Sequence, residues 1–171
     1  MLLALLSLAA ITDLITGKIY NAITYPAAAL GLILSIFIHP PDLRASLAGF
    51  AGALILFGLL RMIAGLGAGD VKLMAAVGAF KGLTFVLLSS FYIFTAGAVL
   101  GLFLLARKRQ LLPTLRWFCS SVAAILIRGS VPPAREFGPT HMPFGPAILA
   151  GVAYSIWLEA SRGPLSFGWW F

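Results

Sequence analysis

Charge is scarce in this chain of 171 residues: Asp, Glu, Lys and Arg together make up 10% of it, and only five residues are acidic. A soluble domain carries about a quarter charged residues, so an ordinary cytosolic enzyme is excluded. Disorder is excluded as well, because 61% of the chain is apolar. Cysteine is nearly absent. With Cys119 alone, one chain can build no disulfide, no CxxC pair and no thiolate zinc cluster, and that residue reads as small packing volume. The opening MLLALLSLAA lacks the basic region of a signal peptide and so reads as a first membrane span. No internal repeat and no low-complexity tract interrupts the pattern.

What the chain does have is long apolar runs, with a mean hydropathy of +1.03, punctuated by Gly 18 times and Pro 10 times. A membrane helix needs about 20 apolar residues. The first run starts at Leu2 and spans only if the helix continues past Asp13 toward Thr16, which puts Asp13 inside the span near one membrane face. Ala22 to Ile38 forms a second span, stopped by His39, Pro40 and Pro41. Asp42 and Arg44 then read as a polar loop, and Leu47 to Ala64 as a third span. The 36 residues from Val71 to Ala106 would make one helix of about 54 Å, far more than a bilayer core of about 30 Å, so this stretch must break and cross twice. Lys81-Gly82 is the natural break, at the expense of a short fourth helix from Val71 to Phe80. Leu111 to Arg128, interrupted by Pro113 and Arg116, reads as an interfacial or re-entrant helix. Pro143 to Glu159 is the last span, and Trp169-Trp170-Phe171 has the form of an interfacial aromatic anchor. The expected fold is therefore all-α: a polytopic membrane protein of about six spans with a short or broken fourth helix, and residues 1–171 as a single integral-membrane domain.

Basic residues orient it. With the N-terminus outside, Lys18, Arg61, Lys72, Arg107, Lys108, Arg109, Arg116, Arg128 and Arg135 lie on the cytoplasmic side, against Arg44, Lys81 and Arg162 outside. The formal net charge of +7 is then mostly topology, and no nucleic-acid partner is expected. His39 and His141 fall on opposite sides, so they form no common metal site.

Of the five carboxylates, Asp42, Glu136 and Glu159 have ordinary explanations in loops or at a helix end. Asp13 and Asp70 do not. Each lies where an apolar helix meets the cytoplasmic interface, and an ionisable group at membrane depth costs about 2.5 to 3.5 kcal/mol on insertion scales. Two carboxylates held close in a poorly solvated site share one proton. That supplies a base to activate water and an acid to protonate an amide, the requirement of aspartic peptide hydrolysis. Gly67 and Gly69, just before Asp70, permit a close backbone approach. The plain alternative for Asp70 is a helix N-cap. Lys18 and Lys72 read either as topology determinants or as cations that stabilise substrate or the ionised aspartates.

Three segments carry a family resemblance: Asp13 followed by Lys18-Ile19-x-Asn21; Gly65-x-Gly67-x-Gly69-Asp70-Val71-Lys72-Leu73; and Pro143-Phe144-Gly145-Pro146-Ala147 opening the last span. Together they resemble the type IV prepilin peptidases and archaeal preflagellin peptidases, membrane aspartic peptidases with a GxGD motif. The resemblance implies that Asp13 and Asp70 are catalytic. Gly67, Gly69, Lys72, Lys18, Asn21, Pro143 and Gly145 are then expected to bind substrate or shape the loops around it. It further implies an active site facing the cytoplasm in a prokaryotic inner membrane, a prepilin or pseudopilin substrate with a short basic leader, and no metal or organic cofactor. Tyr20 departs from the pattern, standing where the family usually has proline. The chain is similar to the short form without an N-terminal methyltransferase region, of the kind that serves Flp or Tad pili, with the native start left open upstream of Met1. Two other classes also accommodate intramembrane carboxylates: a proton- or cation-coupled transport protein, and a non-enzymatic subunit of a pilus or secretion machine.

Overall fold

The computed structural model describes residues 1–37, 41–116, 120–121 and 144–162, and every regular element among them is helical. The readings made above for His39, Pro40, Cys119, Arg128, Arg135, Glu136, His141, Pro143 and the terminal aromatic triplet lie outside the described residues. Among the described residues the long helices are α1 (Leu2–Thr16), α2 (Asn21–Phe37), α3 (Leu43–Ala64), α4 (Ala68–Arg107) and α5 (Gly145–Arg162). The chain divides into two compact units, one of Met1–Gly97 with Pro143–Phe171 and one of Ala98–Met142.

In the first unit, α1 packs against α2 and α5, and α2 against α3. Left-handed glycines end two of these helices: the N–H of Gly17 donates to the Asp13 carbonyl and that of Gly65 to the Arg61 carbonyl. The third helix starts four residues earlier than the apolar run suggests. Asp42 is its N-cap, its carboxylate accepting the Ala45 N–H at 3.0 Å, so Arg44 belongs to the helix and not to a loop. At the other end of the unit α5 runs one turn beyond Glu159, to Arg162.

The fourth helix breaks at Gly82, where φ is 81° and ψ 174°, a backbone region open essentially to glycine alone. The two arms fold back on each other. Gly82 lies beside Ala45, and Gly49 meets Gly78 backbone to backbone, so the first arm runs antiparallel to α3. Twelve residues past the bend Phe94 stacks on Phe57, itself twelve residues past Ala45, with ring centroids 6.0 Å apart. A straight continuation would have carried Phe94 about 18 Å beyond α3, so the second arm must return along it. Lys81, the last residue before the bend, is ion-paired with Glu159 of α5, Nζ to Oε2 at 2.6 Å.

The first arm is the centre of the unit. Val71, Leu73, Met74, Ala75, Ala76, Val77, Gly78 and Ala79 are all buried, so the arm is covered on every face. It is lined by α2 through Gly31 against Ala79 and Phe80, by α3 through Gly49, and by α5 at Lys81. Glycine and alanine make the arm's closest helix contacts, while many bulky apolar side chains point outward: Phe37 is 77% exposed, Ile15 76%, Met62 84% and Ile63 84%. Large apolar side chains exposed in such number depart from the surface of a water-soluble protein. By length and composition α3 and α4 are sufficient to cross a membrane, and α1 and α2 are shorter apolar helices.

The second unit opens with the last turns of α4, whose Val99, Leu102 and Phe103 are exposed. The helix ends where Arg109 takes a positive φ of 54° and the Gln110 N–H donates to the Leu105 carbonyl. Residues 111–116 are helical again, with Leu112 and Leu115 exposed.

Candidate active site

Asp13 sits in the last turn of α1 and is 6% exposed. Its Oδ2 accepts the main-chain N–H of Gly145 at 2.7 Å, across 132 positions of sequence. Gly145 is the first residue of α5, so the carboxylate rests on the end of that helix where main-chain N–H groups are unpaired and the dipole is positive. Only glycine fits there. A Cβ at position 145 would lie 2.9 Å from Asp13 Oδ2, 3.0 Å from Asp13 Cβ and 3.3 Å from the Ala10 Cα. Phe144, just before it, wedges against Gly97 of the second arm of α4.

Asp70 is the third residue of α4 and is 7% exposed. Its Oδ2 accepts the Gly67 N–H at 3.1 Å, reaching back over the helix start as an acidic residue at that position does in a capping box. Asp70 is therefore not the N-cap itself but a buried acid in the first turn that bonds back to the residue at the cap. Around it the α3–α4 turn is tied down from two sides. Arg61 Nη1 donates to the Leu66 carbonyl at 3.4 Å, and Gly69 packs on Ile19, whose Cβ would be 2.7 Å from a Cβ at position 69. One turn into α4, Lys72 Nζ donates to Asn21 Oδ1 at 2.9 Å and lies 4.9 Å from the centre of the Tyr25 ring.

These contacts assemble one end of the bundle. Asp13 is joined to Gly145 at the start of α5, Asp70 to Gly67 and Lys72 to Asn21 around the start of α4, and Gly69 rests on Ile19 in the turn that follows α1. Lys18 does not join them: its side chain is exposed, and only its carbonyl is engaged, accepting from Thr16 Oγ1 at 3.3 Å. Pro143 lies outside the described residues. Two contributors escaped the sequence reading. Tyr25 was legible in principle, since it sits four residues after Asn21 on the same helix face. The link from Gly145 to Asp13 was not, because a main-chain donor leaves no mark in residue type beyond the glycine itself.

A carboxylate that accepts a main-chain N–H is held in a defined orientation. Among the described residues no three His, Cys, Asp or Glu side chains come together as a set that would hold a metal ion.

Comparison with known proteins bears on the same segments. Residues 1–102 match the type IV leader peptidase family, a stretch that includes both aspartates and the glycine turn. Two curated relatives named prepilin leader peptidase/N-methyltransferase, from Burkholderia pseudomallei strains 1026b and K96243, are each 42% identical to this chain over 86 residues. The match covers 46% of this chain and 28% of each relative, so it spans less than a third of their length. No solved structure matches the chain significantly.

Proposed function

The chain belongs to the type IV leader peptidase family, and from that premise we propose that it is a membrane-embedded aspartic endopeptidase that removes short basic leaders from prepilin-like precursors. The observation that carries the reading is the pair of buried acids at one end of the bundle, each with Oδ2 on a glycine main-chain N–H at a helix start. Nothing in the packing of an apolar bundle calls for two such acids, since an ionisable group at this depth is unfavourable by default.

Asp13 and Asp70 carry one proton between them. The ionised member takes a proton from water as the water oxygen adds to the carbonyl carbon of the scissile peptide. The protonated member gives its proton to the carbonyl oxygen, forming a gem-diol. The first member then returns its proton to the amide nitrogen as the C–N bond breaks, while the second takes a proton back from one gem-diol hydroxyl, leaving a free acid and a free amine with the pair reset. The glycine turn before Asp70 gives an extended substrate segment room to lie close to the backbone.

In this reading α1, α2, α3, the two arms of α4 and α5 make six crossings of a prokaryotic inner membrane, with the acidic end toward the cytoplasm. The first arm, 14 residues from Ala68 to Lys81, is about 21 Å long, too short to span a lipid-facing path of about 30 Å. Enclosure by its neighbours removes the need, because its ends meet protein and not hydrocarbon.

The test is cleavage in a bilayer. The chain is co-reconstituted with a probe consisting of a short basic leader ending in glycine, then one apolar helix, and the new N-terminus of the product is sequenced. Wild type should make one defined cut that Asp13→Asn and Asp70→Asn both lose while still inserting. Turnover by either variant near the wild-type rate refutes the pair. An intact probe with folded wild type refutes the peptidase reading and returns the acids to proton or cation transport.

A further inference from the structure

We propose, on the reading that Asp13 and Asp70 act together, that the Lys81–Glu159 ion pair at the far end of the bundle is a positioning pair that sets the spacing of the two aspartates. The argument starts from which helices it joins. Lys81 ends the arm of α4 whose third residue is Asp70, and Glu159 lies near the end of α5, whose first residue holds Asp13. Both helices begin at the acidic end: Gly145 touches Asp13 in the last turn of α1, and Gly69 touches Ile19 just beyond that turn. They therefore run parallel, each presenting an aspartate contact at its start and one member of the ion pair toward its end. Eleven residues separate Asp70 from Lys81, about 16 Å of helix, and fourteen separate Gly145 from Glu159, about 21 Å. Helices of this length act as stiff rods along their axes, so a tie at one end determines how far one rod is advanced past the other. Sliding α5 against the arm would move the Gly145 N–H, and Asp13 with it, relative to Asp70.

The pair has the character of a tie and not of two charges placed for solubility. Lys and Glu near the end of an apolar helix can reach outward with their long side chains to water and headgroups. Here Nζ and Oε2 are instead 2.6 Å apart, with side chains only 30% and 24% exposed, and the ammonium also lies 5.3 Å from the centre of the Phe85 ring. Charge-assisted bonds of this length are directional. α5 also packs along α1 and meets the second arm where Gly151 lies against the Ile93 main chain, and this contact with the second arm is apolar packing with no directional bond. A directional bond to α5 is what the ion pair adds, immediately before the Gly82 bend, to the apolar packing that encloses the first arm.

The test uses the full chain in bilayers with the probe described above. Lys81→Met and Glu159→Gln should each lower kcat about 10- to 100-fold, the loss that follows a displacement of about 1 Å at a reacting centre. KM should stay within about twofold, because neither side chain touches substrate. The reversed pair, Lys81→Glu with Glu159→Lys, should recover kcat to within about threefold of wild type, which a loss through general instability would not. A second readout does not depend on turnover. With Cys119 replaced by serine, spin labels at the exposed positions 68 and 150 report the offset of the two rods. Their distance should shift or broaden by about 2 Å, the scale of a helix slide, in Glu159→Gln and return in the reversed pair. Single variants with wild-type kcat and an unchanged label distance overturn the proposal, as does a reversed pair as slow as the singles. If wild type cuts no probe, the peptidase reading fails, and the label distances still decide whether the pair sets the offset.

Discussion

At one end of the bundle the carboxylate of Asp13 accepts a main-chain N–H, while at the other the carboxylate of Glu159 accepts an ammonium. Both acids lie in an apolar helical protein, and both are engaged through a single oxygen at 2.7 Å and 2.6 Å. The difference lies in the partner's charge. An ammonium cancels the carboxylate's charge in a directional, charge-assisted bond, which suits a tie that has to persist. A main-chain N–H orients the carboxylate and brings no full charge to cancel it. The two ends of this bundle thus set an acid against two different kinds of partner, a main-chain dipole and a full charge.

The sharpest way to break that comparison is to neutralise both acids without changing their shape. Asp13→Asn should lower cleavage at least about 10³-fold, because an amide can neither accept the water proton nor return it. Glu159→Gln should leave easily measured turnover. Equal losses, measured as kcat per folded molecule, would place the two acids in one class and remove the distinction. Next in size is Gly145→Ala, whose Cβ would meet Asp13 and the Ala10 main chain within 3.3 Å. Pushing the start of α5 away should cost about 10²-fold in kcat with little change in KM, a split that product-formation kinetics over a range of probe concentrations resolves. At the opposite end Gly82→Ala probes stability and not chemistry. A side chain at φ 81° and ψ 174° should destabilise the fold by about 1 to 3 kcal/mol, visible as a lower unfolding midpoint in detergent. The smallest effect belongs to Lys72→Met. The bond from Lys72 to Asn21 is solvent-accessible, so its loss should cost at most about 1 kcal/mol, or about fivefold in kcat. A larger loss, accompanied by a rise in KM, would make Lys72 a substrate contact and not a brace.

Much of this molecule is legible in residue order because the bilayer length scale is so restrictive. Val71 to Ala106 is too long to cross once, and Lys81-Gly82 is where a charge and a flexible residue coincide; the backbone does break at Gly82. Asp13 and Asp70 stood out for a related reason, since acids within apolar runs are rare and unfavourable. Their burial, at 6% and 7% exposure, agrees with that reasoning. The start of α3 was placed too late because the apolar run begins at Leu47, whereas the helix is nucleated by the Asp42 cap five residues before it. Hydropathy registers what a helix buries in lipid and says little about where its hydrogen bonding begins.

Glu159 shows the other kind of gap. In sequence it is one more polar residue closing a span, 78 positions from Lys81, and no local pattern connects the two. Composition and periodicity by themselves determined that the chain is helical, that its helices are apolar, where the long stretch must break, and which two acids are out of place. Those properties follow from local residue character and the reach of a helix, so they need no knowledge of neighbours. Tertiary structure alone decided that α5 delivers a main-chain donor to Asp13, that Gly69 rests on Ile19, and that Lys81 and Glu159 form a pair. Each of these depends on which surfaces of distant helices come within about 3 Å of each other, and at that range close packing, not residue type, selects the partner.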